Sequence, residues 1–289
     1  MDKLMDGKKV AASWRARIQQ ELSDSGSRPQ LVLVGVGENP ESKTYVKLKS
    51  RMAAKAGMIS REDWLGANAT QREIEETVLR ASGDPSVDGI MVQLPLPDQV
   101  DWERVLDCIS PGKDVDGLTS AGLGQLAADR KAWLPATVLG VIELLAYYHV
   151  VLIDRHVVIL GSDRFVGIPM AMAFSHRGAT VTMIPENSSQ AQSIAPTADI
   201  LIAVAGQPET VSADMIKSGA VVIDAGSHHL EDGSLVGNTR HQEVSAVASL
   251  ITPVPGGVGP MTIAALLQNT WAAHAAKTGK EGRFAKGSE

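Results

Sequence analysis

The sequence predicts an α/β protein built as two lobes, each around a parallel sheet. Three observations carry that prediction. Short apolar runs closed by glycine or proline, such as QLVLVGVG and RHVVILG, read as buried strands. Segments with helical spacing of apolar residues alternate with them, and strand–helix–strand units of about 30 residues indicate right-handed crossovers between parallel strands. Between the two halves lies SPGKDVDGLTSAGLGQL, which has few helix or strand signals and reads as a connector.

Taken in order, VAASWRARIQQEL has helical periodicity and QLVLVGVG is a strand. ESKTYVKLKSRMAAKAG is a helix that Gly57 stops. REIEETVLRAS is a polar-faced helix, VDGIMVQLPLP a second buried strand broken by Pro95 and Pro97, and WERVLDCI a short helix. After the connector, ATVLGVIELLAYYHV returns to helix. The second half continues with RHVVILG (strand), FVGIPMAMAFSHRG (helix), ATVTMIP and ADILIAVAG (strands), ADMIKSG (short helix) and GAVVIDAG (strand). A loop rich in glycine and proline, TPVPGGVGPMT at 252–262, then leads into the helical run MTIAALLQNTWAAHAA. The expected domains are 1–120 and 136–260, with a last helix over 261–277 packing back on the first lobe. The polar stretch 278–289 is expected to be disordered.

The bulk properties narrow the function. A chain of 289 residues, 44% hydrophobic and 21% charged, has ordinary globular composition. A net charge of -6 argues against a nucleic-acid partner. The single cysteine, Cys108, excludes an internal disulfide and fits a reducing compartment, so a cytoplasmic location is expected. No apolar run approaches the roughly 18 residues of a membrane span. Neither a GxSxG elbow nor an HExxH pair is present, so nucleophilic hydrolase and zinc chemistry are poorly supported, and no metal is expected.

In the second half, the glycine turn of GSDRFVGIP joins a strand to a helix, the place where free N–H groups and a positive helix end receive a phosphate. Gly161 permits the turn and Gly167 a close approach, although the spacing departs from GxGxxG and also suits an ordinary strand–helix turn. The strand ends AVAGQP, with Ala205 and Gly206, and IDAGSHH, with Gly226 and Ser227, are also made of small residues. Ligands of open parallel sheets bind at such carboxyl ends. This half is therefore expected to be a Rossmann-like dinucleotide-binding lobe. Glu186, at the end of ATVTMIP, is placed to accept from a ribose 2′-hydroxyl and to repel a 2′-phosphate.

In the first half, Tyr45 and Lys49 share a helix face at a spacing of i and i+4. A surface lysine covering a tyrosine ring has the same pattern. Gln93 ends a buried strand before a proline turn. Asp114 and Asp116 lie in a loop, where aspartates commonly cap turns, or where one of them holds a polar heterocycle.

Together these pieces, YVKLK, VDGIMVQLPLP, PGKDVDGLT, GSDRFVGIP, GAVVIDAG and TPVPGGVGPMT in that order, resemble the bifunctional methylenetetrahydrofolate dehydrogenase/methenyltetrahydrofolate cyclohydrolase family. The likeness runs from about residue 5 to about 275. It implies a parallel-sheet substrate lobe and a Rossmann-like dinucleotide-binding lobe with a folate cleft between them, a homodimer, and a place in one-carbon metabolism feeding purine biosynthesis. It implies that Lys49 is the catalytic lysine, Gln93 its partner, Asp116 the pterin-binding aspartate and Tyr45 the ring that covers the pterin. Val92 and Leu94 flank Gln93 in the substrate site. The loop Pro255, Gly256, Gly257, Val258, Gly259 and Pro260 forms its other wall, small enough for a flat ring to approach. The dinucleotide set is Gly161, Ser162, Asp163, Val166, Gly167, Glu186, Ala205, Gly206, Gly226 and Ser227.

This sequence departs from the family pattern in places that matter. Ser162 and Asp163 stand where Arg-Ser is usual, so the arginine for a 2′-phosphate is missing and a carboxylate has appeared. With Glu186, this favours NAD over NADP. Ala136 and Val138 replace residues of the usual Pro-Cys-Thr-Pro, Ser227 replaces a larger apolar residue, and Gly237-Asn238-Thr239 stands for Gly-Asp-Val. Competing readings are a cyclohydrolase with weak or lost dehydrogenase activity, a non-catalytic folate- or nucleotide-binding protein, and a shikimate-type dehydrogenase. The intact Tyr45, Lys49, Gln93 and Asp116 argue against the second of these, and TPVPGGVGPMT against the third.

Overall fold

The computed structural model describes residues 3–130 and 133–280. Most of the stretch expected to be disordered, from 281 onward, lies outside the described residues. The chain divides into two compact units. The first is Ser13–Ala136 with Ile263–Glu289, and the second is Met1–Ala12 with Thr137–Thr262.

The first half of the chain runs α1 (Gly7–Ser25), β1 (Gln30–Val36), α2 (Pro40–Lys55), β2 (Ile59–Leu65), α3 (Gln71–Gly83), β3 (Gly89–Val92), α4 (Trp102–Asp107), α5 (Ser120–Ala127) and α6 (Ala136–Tyr147). The first unit's sheet has the order β2-β1-β3, with both pairings parallel. β1 and β3 are apolar and buried because they lie inside the unit. β2, with the sequence ISREDWL, was not expected. It has no fully buried residue, so no apolar run announces it. Its Arg61 makes a two-pronged pair with Asp63 instead (Nε–Oδ1 3.0 Å, Nη2–Oδ2 3.1 Å). Asn39 caps α2 by accepting from the N–H groups of Glu41 and Ser42, and Pro40 sits in its first turn. Thr70 and Glu73 form a capping box on α3. The expected connector is partly ordered as α5, whose N-cap hydroxyl, on Thr119, accepts from Gly122 N–H. Its glycines hide the helical signal.

The second unit contains β4 (His156–Leu160), α7 (Gly167–Ser175), β5 (Thr180–Ile184), α8 (Ala191–Ile194), β6 (Ile200–Ala203), β7 (Val221–Asp224), β8 (His228–His229), β9 (Leu235–Val236), α9 (His241–Val247) and β10 (Leu250–Ile251). Five of these strands form a parallel sheet of order β10-β7-β6-β4-β5, and β8 pairs with β9 as a small antiparallel hairpin. ADMIKSG makes only a short 3-10 turn at Ala213–Met215. Packed against the sheet is a buried cluster that includes Val158, Leu201, Val222, Val244 and Ile251. The extreme N-terminus belongs to this unit. Met5 N–H donates to Ile251 O (2.8 Å), and Ile251 N–H donates to Lys3 O (2.9 Å).

Strand order reverses direction beside β4, since the chain goes from β4 out to β5 and then returns to β6 on the other side. Such a switch point opens a crevice at the carboxyl ends of the strands. The turn at Gly161 and the end of β6 meet there.

α10 (Val258–Thr278) closes the chain and begins three residues before the expected start. Pro260 is tolerated in its first turn, where a backbone N–H has no partner within the helix. Within the first unit, Asn269 of α10 donates to Val115 O (2.9 Å) and Leu134 O (3.0 Å), and Trp271 Nε1 donates to Glu21 Oε2 (2.6 Å). Lys277 pairs with the buried Asp88, which also accepts from Gln30 N–H (2.8 Å). No helix among the described residues is long and apolar enough to cross a membrane.

Candidate active site

In the first unit, α2 carries Tyr45 and Lys49 one turn apart, both half-buried. Next to them is the end of β3. Gln93 N–H donates to Val34 O (2.8 Å), so the sheet ladder holds the backbone of Gln93 in place. Its side-chain amide is used at both ends: Oε1 accepts from Lys49 Nζ (2.9 Å) and Nε2 donates to Leu94 O (2.6 Å). That second bond fixes which end faces the lysine. Met91 Sδ lies 3.5 Å from the same Nζ. Val92 is buried and Leu94 half-buried on either side.

The two loop aspartates separate cleanly. Asp114 is buried, and its carboxylate accepts from the N–H groups of Gly117 (3.0 Å), Leu118 (3.2 Å) and Thr119 (2.9 Å). It is a turn-builder. Asp116 has no hydrogen bond within the protein to its carboxyl among the described residues. Gly117 lets the chain turn immediately after it, with φ at 72°, and a Cβ there would come within 2.7 Å of Pro135 N. Burial pushes the Asp116 carboxyl up to about 6, against the pull of the Lys49 ammonium, and the charge of Asp114 adds to the rise. Burial likewise pushes the Lys49 ammonium below its usual range, with Asp116 opposing. A lysine and a carboxyl brought towards neutrality together can exchange protons with a substrate near neutral pH.

The second unit presents three strand ends in a row. Gly161 follows β4 with φ at 122°, and a Cβ there would overlap Val204 O, so only glycine lets the two strand ends meet. Ser162 is half-buried. Asp163 accepts from the N–H groups of Phe165 (2.8 Å), Val166 (2.8 Å) and Gly167 (3.1 Å), which are the donors opening α7. At the end of β5, the exposed Glu186 accepts from Gly206 N–H, joining the ends of β5 and β6. Gly226 N–H donates to Asp224 Oδ1 (2.9 Å) at the end of β7, while Ser227 is exposed.

The loop expected to wall the folate site lies in the second unit. Pro255 and Gly259 are exposed, whereas Gly256, Gly257 and Val258 are buried. A Cβ on Gly257 would come within 2.6 Å of Pro253 O, and Gly256 O accepts from Lys8 N–H (3.0 Å). Packing within the loop therefore already requires a small residue at 257, and a φ of 117° favours glycine at 256. Gly259 has open space around its Cβ position.

Two family descriptions match the chain: the catalytic domain of tetrahydrofolate dehydrogenase/cyclohydrolase over residues 5–116, and its NAD(P)-binding domain over residues 135–278. The chain belongs to the tetrahydrofolate dehydrogenase/cyclohydrolase family. It is 44% identical over 285 residues to the bifunctional protein FolD of Rhodopirellula baltica, covering 92% of this chain and 95% of that one. It is 39% identical to the Staphylococcus carnosus protein of the same name, covering 96% and 99%. The crystal structure of FolD from Campylobacter jejuni matches with a TM-score of 0.92 at 39% identity, covering 94% of this chain and 98% of that one. That of the Trypanosoma brucei protein, complexed with NADP cofactor and inhibitor, matches with a TM-score of 0.91 at 34% identity, covering 95% and 98%.

The protein is thus a methylenetetrahydrofolate dehydrogenase and methenyltetrahydrofolate cyclohydrolase of one-carbon metabolism, with an NAD(P)-binding domain. Within the catalytic domain, the structure brings Tyr45, Lys49, Val92, Gln93, Leu94 and Asp116 into the same unit, while Pro255–Pro260 belong to the other. Two features of the site escaped the sequence reading. Met91 beside Lys49 looks like an ordinary strand residue. Asp224, a buried carboxylate ending the apolar run VVID, carried a readable signal, since such a charge needs several donors.

Proposed function

We propose that Lys49, Gln93 and Asp116, with Tyr45 as the stacking ring, carry the folate chemistry of this dehydrogenase/cyclohydrolase. The observation behind this is the Asp116 carboxyl, free of internal partners and raised to about 6, beside a lysine held at 2.9 Å by Gln93. Ionised, Asp116 accepts two N–H groups from the pterin's amino-pyrimidine edge. Tyr45 covers the ring. In the hydrolysis, water adds to the cationic methenyl carbon and gives up both its protons, one to N5 as the bond from that carbon to N5 breaks and the other to solvent as the formyl carbonyl forms. The Lys49 amine takes the first proton and returns it to N5, giving 10-formyltetrahydrofolate. Gln93 keeps Nζ aimed. A lowered lysine pKa makes both transfers accessible near neutrality.

Three adjoining glycine-bearing strand ends, with no room for a Cβ at Gly161, fit a dinucleotide laid across the switch point. Gly161, Ser162, Val166, Gly167, Ala205, Gly206, Gly226 and Ser227 would hold it. When bound, the nicotinamide supplies the oxidising power that turns the methylene carbon into the methenyl form. We infer that the dinucleotide is NAD in preference to NADP. The α7 donors already hold the Asp163 carboxylate, Glu186 stands at the end of β5, and the usual arginine is absent. A 2′-phosphate facing these carboxylates, with no arginine to offset them, would lose on the order of several kcal/mol. The reading extends to a cytoplasmic homodimer acting on folates, with neither nucleic acid nor membrane as partner, and supplying purine biosynthesis. It is supported by the lone Cys108 and the net charge of -6.

The deciding experiment compares oxidation of 5,10-methylenetetrahydrofolate with NAD and with NADP, reading methenyl product after acid quench. Faster turnover with NAD is expected. Preference for NADP would overturn the cofactor assignment. Turnover with neither, beside normal hydrolysis of supplied methenyltetrahydrofolate, would mean a cyclohydrolase whose dehydrogenase activity is weak or lost.

A further inference from the structure

Asn238 is completely buried in the second unit, and its side-chain amide joins the turn after β6 to the first residue of β8. Nδ2 lies 2.6 Å from Ala205 O, 2.7 Å from Gln207 O and 2.9 Å from His228 Nε2. The two carbonyls settle the orientation of the amide, because an oxygen facing them would be repelled. Oδ1 therefore points the other way, where it is buried without a partner, and a Cβ on Gly226 would overlap it. The backbone of the same segment is equally constrained. The N–H groups of Asn238 (2.9 Å) and Thr239 (2.8 Å) end on the Asp224 carboxylate, which also takes Gly226 N–H and the Thr239 hydroxyl (2.7 Å).

The side chain thus ties the turn Ala205–Gln207 after β6 to the first residue of β8, while the backbone of Asn238 meets Gly226, after β7, on the Asp224 carboxylate. We infer that Asn238 is a positioning residue for the dinucleotide in the dehydrogenase reaction, with His228 as its third acceptor. The inference rests on the reading of these turns as dinucleotide-facing. An aspartate here would have only acceptors, so it could not bond the carbonyls of Ala205 and Gln207. The amide does so and leaves the pocket one negative charge lighter. An amide nitrogen has two hydrogens and cannot accept, so the Nε2 of His228 must be unprotonated to share them.

Three full-length variants test this: Asn238→Asp, His228→Leu and His228→Gln. The readouts are the KM for NAD, NADH binding by fluorescence, and hydrolysis of supplied methenyltetrahydrofolate. Asn238→Asp and His228→Leu are expected to raise KM and the dissociation constant about tenfold or more. The dehydrogenase kcat at saturation and the hydrolysis rate should stay within about twofold. His228→Gln keeps an acceptor and is expected to remain within about threefold of the parent. Unchanged dinucleotide affinity in Asn238→Asp and His228→Leu would overturn the inference. So would a parallel fall of both activities with the melting temperature, which marks a merely structural role. Should Asn238→Asp fail to fold, the two variants at the half-exposed His228 decide alone. A parent enzyme that binds no dinucleotide would instead refute the reading of the turns.

Discussion

Replacing Asp116 with asparagine should remove the acid limb of the enzyme's pH profile. The Asp116 carboxyl is raised from 3.8 to about 6 by burial. At about 1.4 kcal/mol for each tenfold change, the site disfavours its ionisation by roughly 3 kcal/mol. The sign follows from the direction. A carboxyl with a raised folded-state pKa holds its proton more tightly when folded, so its contribution to stability is fully present below 3.8 and is lost as pH rises through about 6. The reactive, ionised form therefore exists only above that pH. With a midpoint near 6, roughly nine-tenths of the molecules are ionised at about pH 7 and roughly one-tenth at about pH 5. If the carboxylate is what accepts the pterin N–H groups, kcat/KM for methylenetetrahydrofolate should fall about tenfold across that range. The assay is initial-rate oxidation at saturating dinucleotide, quenched in acid. Asp116→Asn offers one acceptor and no charge, so it should be slower at neutral pH and flat between those two values. An acid limb that survives in Asp116→Asn would refute the reasoning, because the titrating group would then lie elsewhere.

Lys49→Met should lower cyclohydrolase turnover by about 10²–10⁴-fold, as expected for loss of a positioned acid–base group, while NADH fluorescence titration shows unchanged dinucleotide binding. Gly161→Ala forces a side chain into a φ of 122° and against Val204 O, so it should cost about 2–4 kcal/mol by thermal unfolding and weaken dinucleotide binding. Asn269→Leu leaves the carbonyls of Val115 and Leu134 without their donor, so denaturant unfolding should show a loss of about 2–4 kcal/mol. Because Val115 precedes Asp116, the same variant should raise the KM for folate more than that for the dinucleotide.

Much of this protein was legible from its sequence, for reasons that are local. Strands buried on both faces must be apolar throughout, so β1, β3, β4, β6 and β7 announced themselves. Tyr45 and Lys49 had to share a face because an α-helix brings every fourth residue round, and the glycine of the turn at 161 had to mark a strand–helix junction. Other features depended on partners distant in the chain. β2 has no fully buried residue to mark it in the sequence, and its place in the sheet is decided by pairing with β1. The sequence could not say which aspartate of KDVDG was the turn-builder; the answer came from the N–H groups that Asp114 gathers from Gly117, Leu118 and Thr119, leaving Asp116 free. Asp163 reads in the sequence as a charge against a phosphate, and only in the folded chain is it also the cap on the α7 donors. Asn238 showed in the sequence only as a departure from the family pattern, with no hint of what its amide does. Its amide matters because folding stacks the ends of β6 and β7 beside it, and no spacing along the chain encodes that meeting.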